Sequence, residues 1–238
     1  MLEKAIAKIQ EMTRREINVL TIGGREYATG EMRLIEPPEY RPSVLNLSSL
    51  ESVITMVRTE AAKCEDRTIY VHVESHREVA VFTTYDEKAR RDYLYRAVAE
   101  VVSTPVDRWT EKDDLIIALN SVFIPNEDTE YIQTVLNKIT EESKVTASDN
   151  GLGQNIEMQK GIALKENAKL KTRVLLKPFR TFPEVEQPES EFILRARDGG
   201  AFLIKSADGE RWVLDAKKNI KEYLLKEIGD IENVIVMA

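Results

Sequence analysis

Apolar residues at helical spacing open the chain: Leu2, Ala5, Ile6, Ile9 and Met12 lie on one face and predict an amphipathic first helix. Ile17–Ile22 reads as a short strand broken by Gly23-Gly24; a second strand-like run follows and ends at Pro37-Pro38 and Pro42. Ser48-Ser49-Leu50-Glu51 has the form of a capping box, with Ser48 as the N-cap and Glu51 reaching back. Leu50, Val53, Ile54, Val57 and Ala61 then give the helix its buried stripe. Over Thr68–Glu74 the period changes from helical to twofold. Ile69, Val71 and Val73 face one way, and Tyr70, His72 and Glu74 the other. Glu78–Thr83 follows at once, so the two runs predict a hairpin turning near Ser75-His76.

The stretch Asp86–Val102 mixes charges with Tyr93 and Tyr95 and suits either a helix or an edge strand. Beyond it, Thr110 is the expected cap of a helix with Ile116, Leu119 and Phe123 inward, stopped by Pro125. Ile132, Val135, Leu136 and Ile139 mark another short helix. From residue 142 the pattern turns to strands. Ser143–Ser148 and Gln154–Lys160 flank the turn signal Asp149-Asn150-Gly151, and Lys171–Lys177 is a further strand. Glu191–Arg197, Ala201–Ser206 and Glu210–Leu214, separated by Asp-Gly signals, predict a three-stranded antiparallel meander. Ala216, Ile220, Tyr223, Leu224 and Ile228 make a final helix, and Ile231–Met237 a last strand. The pattern as a whole predicts an α+β protein: an N-terminal half (residues 1–141) of mixed helices and a β-hairpin, and a C-terminal half (residues 142–238) carrying the β-meander and final helix. The alternative is that both halves share one fused core.

Within the C-terminal half lies Leu175–Arg195, with Pro178, Pro183 and Pro188, three phenylalanines and four glutamates. The prolines forbid a helix and a central strand at their positions, so this segment is an extended, bending connection.

Composition narrows the chemistry. With 238 residues the chain can bury a core without disulfides, and its single cysteine, Cys64, rules out a cysteine zinc site. The net charge of −7 argues against a surface dominated by nucleic-acid contacts, while leaving room for a local basic patch. No apolar run is long enough to span a membrane and the first helix lacks the form of a signal peptide, so a cytosolic protein is expected.

Catalytic signatures are sparse. His72, Glu74 and His76 would share a face on an uninterrupted strand and are the candidate metal ligands; a solvent-facing hairpin side is the simpler reading. No serine sits in a nucleophile elbow, and Gly151-Leu152-Gly153 is better read as a hairpin turn than as a phosphate loop. Glu184, Glu186, Glu189 and Glu191 are read either as paired carboxylates for acid–base or magnesium chemistry, or as the salt partners of neighbouring cations. Arg180 beside Phe179 and Phe182 offers an anion contact with a stacking ring; Arg195 and Arg197, two apart on a strand, offer a second. Arg180, Phe182, Arg195 and Arg197 are therefore the candidate ligand-binding residues, with core packing as the competing role for Phe182. No catalytic residue and no cofactor is assigned.

The run LKPFRTFPEVEQPESEFILR, together with IYVHVES and REVAVF of the hairpin and LNLSSLESVI before it, resembles the YfdQ-like family of phage and prophage proteins, over about residues 40 to 225. That family is of uncharacterised activity, so the resemblance implies a setting, the cytoplasm of an infected bacterium among early phage genes, and no site. From that setting the expected function is a non-enzymatic counter-defence protein that binds and sequesters a nucleotide-derived immune signal in a deep pocket. The alternative is an accessory of phage DNA recombination or replication that acts through single-stranded DNA or a partner protein. A metal-dependent phosphodiesterase built on His72, Glu74 and His76 is the third. Self-association into a homo-oligomer is expected from the number of strand edges to be covered.

Overall fold

The computed structural model describes residues 2–13, 19–28, 33–34, 41, 43–64, 66–138, 143–149, 154–160, 164–198 and 200–238. The chain divides into two compact units, residues 1–42 and 43–238.

In the first unit, helix α1 (Leu2–Thr13) is followed by strands β1 (Val19–Ile22), β2 (Arg25–Ala28) and β3 (Arg33–Leu34). The strands form an antiparallel sheet in chain order. Gly23 and Gly24, at φ of 60° and 77°, make the two-residue turn between β1 and β2, a conformation that only residues without a Cβ adopt at no cost.

The second unit runs through β4 (Leu45–Leu47), α2 (Leu50–Glu60), β5 (Ile69–Ser75), β6 (Glu78–Thr83), β7 (Tyr93–Val98), β8 (Trp109–Thr110), α3 (Lys112–Ser121), β9 (Phe123–Ile124) and α4 (Glu127–Asn137). It continues with β10 (Ser143–Asp149), β11 (Gln154–Lys160), β12 (Leu164–Leu170), β13 (Arg173–Pro178), β14 (Ser190–Ala196), β15 (Phe202–Ser206), α5 (Trp212–Ile228) and β16 (Val234–Met237). Two five-stranded sheets result. The first has the order β16-β5-β6-β7-β4, antiparallel at its centre with a parallel strand at each edge. The second, β8-β15-β14-β13-β9, is antiparallel throughout. A separate meander, β10-β11-β12, leads into β13.

Each five-stranded sheet has its own core on one face. Val71, Val73, Val79, Val81 and Ala97 of the first sheet pack with Leu50, Val53 and Val57 of α2 and Ile220, Leu224 and Ile228 of α5. On the second sheet, Val174, Leu176, Phe192, Leu194, Phe202 and Ile204 pack with Leu115 and Leu119 of α3 and Ile132 and Leu136 of α4. The division expected at residues 141/142 cuts through both cores, because α5 and β16 complete the first sheet's layer while α3 and α4 cover the second.

The α+β class, the hairpin β5–β6 and the antiparallel meander followed by a final helix are all present. The meander's membership differs from expectation. Glu210–Leu214 follows an Asp-Gly turn signal as a meander strand would, but Asp208 accepts backbone hydrogen bonds from Glu210 (3.1 Å) and Trp212 (3.4 Å), and the chain turns there into α5. β13 takes the third place instead. The Asp86–Val102 ambiguity resolves into β7, which lies between β6 and β4 and so is interior, not an edge. Ser49, not Ser48, caps α2, accepting from the Ser52 amide at 3.2 Å. Glu111 precedes α3 in place of Thr110, and Phe123 belongs to β9 rather than to that helix. β12 was missed by sequence reasoning. Asn150 and Gly151 of the expected turn, and Ile139, lie outside the described residues.

The proline segment connects β13 to β14 by a detour. Phe179 donates its amide to Val122 beside the second sheet, while Phe182 and Val185, three to six residues on, sit in the first sheet's core. Gln187, buried to 2% exposure, shapes the turn-back. Its carbonyl oxygen accepts from the amides of Arg180 (2.9 Å) and Thr181 (3.2 Å), and its amide donates to the carbonyls of Phe182 (2.9 Å) and Val185 (3.2 Å). One side chain thus bonds four backbone groups of an irregular buried loop, of which the Phe182 carbonyl also accepts from the Val185 amide at 3.3 Å.

Candidate nucleobase-binding face

With α2 and α5 covering one face of the first sheet, alternation turns the other residues of β5, β6 and β7 outward. Strand register aligns them in rows. Ile235, Tyr70, Phe82 and Tyr93 face one another across β16, β5, β6 and β7. Met237, His72, Ala80, Arg96 and Asn46 form the next row, across all five strands. The first row is a stack of rings: Tyr70–Phe82 centroids are 5.6 Å apart and Phe82–Tyr93 5.4 Å, with His72 edge-on to Phe82 at 6.5 Å. Phe82 is buried beneath its neighbours, whereas Tyr93 is 49% exposed and Tyr85 62%.

Arg91 lies over this surface. Its guanidinium is 4.0 Å from the Tyr85 ring centroid, 5.2 Å from Phe82 and 5.5 Å from Tyr70, and it donates to the Thr83 carbonyl at 3.2 Å. Rings and a carbonyl hold it in place of a carboxylate, so its positive charge stays available to an anion. Arg96, by contrast, is engaged by Glu78, whose hydrogen bond and charge push its pKa up.

In the second row the small side chain of Ala80 leaves a dip between larger neighbours. A cavity of about 360 Å³ opens there, lined by Val44, Asn46, Glu74, Ala80, Tyr93, Tyr95 and Arg96. Tyr93 belongs to both features: its ring touches the stack and its side chain walls the cavity. Tyr95, on the same strand, serves the other face. Its hydroxyl donates to Glu60 of α2, and burial with that hydrogen bond raises its pKa.

The residues singled out in the sequence do not assemble into one site. Phe182 is fully buried in the first core. Arg180, 8% exposed, lies 3.9 Å from the Trp212 ring centroid and 5.6 Å from that of Phe192, and donates to Ser190 Oγ and to the Pro188 carbonyl (3.3 Å). Burial lowers its pKa to about 10, so it remains charged at neutral pH. Ser190 and Phe192 face the second sheet's core side; Arg195 alternates with them and points to the opposite face. Arg197, just past β14, is 5.1 Å from the Trp109 ring centroid and 4.0 Å from Glu111.

His72, Glu74 and His76 also separate. A bulge between Val73 and Ser75 leaves Glu74 without a cross-strand partner, and His76 falls in the turn, edge-on to Trp212 at 4.7 Å. Among the described residues no three His, Cys, Asp or Glu side chains are placed to hold a metal ion. Of the four glutamates, Glu184 accepts the Leu50 amide at the start of α2 (2.8 Å), Glu186 is 3.5 Å from Lys177, and Glu191 is 2.7 Å from Arg173. Glu186 and Glu191 thus pair with cations, while Glu184 caps a helix through Oε1 and its buried Oε2 has no hydrogen-bond partner among the described residues.

Sequence reasoning placed Tyr70, His72 and Glu74 on one face but missed Phe82, Tyr93 and Arg91. Aromatic residues at alternate positions of consecutive strands were the available signal; joining them required the identity of β7 as a strand and its register against β6. The chain matches no protein-family model, no curated protein and no solved structure in the comparisons made.

Proposed function

We propose that this chain is a non-enzymatic binding protein that holds a nucleobase-containing ligand against the open aromatic face of the first sheet. The observation that carries the reading is the row Tyr70–Phe82–Tyr93 with Arg91 over it: flat rings on a solvent-facing sheet with a cation at hand suit a base and its phosphate. Such binding needs stacking and charge rather than a reacting group. In the phage setting that the YfdQ-like resemblance implies, a nucleotide-derived immune signal is the first ligand to test, and its sequestration in the host cytoplasm is the proposed role. The cavity beside Tyr93 is of the size that small ligands occupy, about 300–1,000 Å³.

A second reading, a recombination or replication accessory that binds single-stranded DNA, draws support from the length of the aromatic row, which crosses three strands and exceeds one base. Isothermal titration with cyclic nucleotides and ADP-ribose-derived signals, beside a gel shift with single-stranded DNA, separates the two. Heat with a small nucleotide and no retained strand supports sequestration. Salt-sensitive retention of the strand supports the accessory role. Silence in both assays removes the proposal.

A further inference from the structure

The cavity at Ala80 carries more information than its size. Its wall residues come from four neighbouring strands, and each offers a different kind of contact. Tyr93 presents a half-exposed ring. Asn46, on edge strand β4, and Glu74, at the β5 bulge, are exposed polar side chains that make no hydrogen bond to the described residues. The bulge gives Glu74 no partner on β6, so its carboxylate is not drawn into a cross-strand pair. Arg96 stands at the rim, near enough to Glu74 for their charges to interact yet hydrogen-bonded to Glu78 instead.

An ionised carboxylate only accepts hydrogen bonds, and an amide both donates and accepts. A base whose edge faces Glu74 must therefore offer N–H groups there. Guanine offers two side by side, from its ring N1 and its exocyclic amino group, and can engage a carboxylate with both oxygens. Adenine and cytosine pair one amino group with a ring acceptor that a carboxylate repels. Uracil and thymine present one N–H between two carbonyls, the least favourable edge of all. Asn46 can donate to the guanine carbonyl that completes the edge.

We infer that this cavity reads the edge of an amino-bearing nucleobase, guanine before adenine or cytosine, with Tyr93 stacking on the base and Glu74 and Asn46 recognising its edge. This inference rests on the proposed function and sharpens it from any base to an amino-bearing one, guanine first. Ala80 is the residue that makes room, since a larger side chain at the centre of that row would fill the dip.

The test is titration of the full chain with the four nucleoside 5′-monophosphates, followed by calorimetry. GMP is expected to bind at least about tenfold more tightly than UMP, the scale of discrimination that a satisfied against an unsatisfied polar edge provides. Glu74→Gln, which turns one acceptor into a donor, is expected to bring GMP and UMP within a few-fold of each other while leaving the melting temperature unchanged. Ala80→Leu is expected to abolish binding of all four in a chain that still folds. Equal affinities for the four nucleotides, or a GMP preference untouched by Glu74→Gln, overturn the edge-reading inference and leave the stacking proposal standing. No saturable binding of any nucleotide overturns both.

Discussion

The Arg180 guanidinium lies over the Trp212 indole, 3.9 Å from the ring centroid, and this contact ties the proline segment to the N-terminus of α5. Trp212 in turn meets His76 of the β5–β6 turn, and Arg180 meets Phe192 and Ser190 of β14. The first sheet's hairpin, the second sheet's central strand and the last helix therefore converge on a cluster formed by Arg180, Trp212, His76 and Phe192. Arg180 acts here as a fixed part of the fold. Its charge is desolvated; the rings, together with the oxygens of Ser190 and Pro188, offset part of that cost, while its buried Nε has no hydrogen-bond partner among the described residues.

Arg180→Ala is expected to cost about 2–4 kcal/mol of stability, because it empties a buried volume and bares one face of Trp212. Arg180→Met, which keeps most of the stem's packing, should cost less. A double-mutant cycle with Trp212→Ala, read from urea unfolding midpoints, should return a coupling of about 0.5–2 kcal/mol. Additive effects would show that the contact carries no energy.

His76 gives the same junction a pH dependence. Burial, and then the charges of Arg77 and Arg180, lower its pKa below 6.5, with Glu210 opposing them. The unfolded chain takes up a proton near the ordinary value of about 6.5, whereas the folded chain resists it until lower pH. The unfolded state thus binds more protons in that window, and stability is full above it and falls as pH drops through it. Urea titrations between neutral pH and about pH 5 should show this loss in the native chain. The His76→Phe variant, which keeps a ring against Trp212, should show a smaller one; identical slopes would place the titration elsewhere.

Local pattern and long-range pairing explain which parts of this fold could be read in advance. Ile69, Val71 and Val73 alternate cleanly, so β5 and its hairpin with β6 were legible, and α5 was legible from Ala216 onward. Residues Glu210–Leu214 misled because they follow the turn signal Asp208-Gly209 at the spacing of a meander; the deciding hydrogen bonds are accepted by Asp208 itself, just upstream of the run. The β12 sequence LKENAKL carries too few apolar residues for either period to register. Gln187 and Glu184 act on groups that no spacing rule links to them: Glu184 meets Leu50 across 134 positions of chain. The aromatic face needed the same long-range knowledge. Tyr93 joins Phe82 only once β7 is paired beside β6, and Ile235 joins Tyr70 through the parallel strand from the far end of the chain. Arg195 and Arg197 share a face only if the strand runs through both, and β14 ends at Ala196; Arg180 and Phe182 are both buried by the segment's detour, which leaves Phe182 in its core-packing role.

Glu184 supplies a cap that Ser49 alone does not. Ser49 satisfies the Ser52 amide, and Glu184 reaches from the proline segment to the Leu50 amide, placing a negative charge at the positive end of α2. Glu184→Ala is expected to lower stability by about 1–2 kcal/mol, the usual worth of a helix cap, and Glu184→Gln by less, since the amide oxygen can still accept. Chemical denaturation of the two variants measures the difference. Equal losses would mean that charge, not the hydrogen bond, carries the effect.

Arg91 separates a binding role for the aromatic face from a merely structural one. Its guanidinium is held by Tyr70, Phe82 and Tyr85 and hydrogen-bonded to the Thr83 carbonyl, so its removal leaves no buried group without a partner except that carbonyl. Arg91→Gln should therefore change stability by no more than about 1 kcal/mol, the worth of an exposed cation–π contact. Its effect on a phosphate-bearing ligand should be larger and should depend on salt. If Arg91 meets phosphate, Arg91→Gln weakens binding of a short oligodeoxynucleotide or a nucleotide at low salt, and the slope of log affinity against log salt falls by about one unit for the strand. Arg91→Lys keeps the charge but loses the planar stack, so it should retain the salt slope while losing part of the affinity. Affinity measured across a salt series for the three proteins decides the matter: parallel lines for the native chain and Arg91→Gln would show that the cation steadies the rings without touching the ligand.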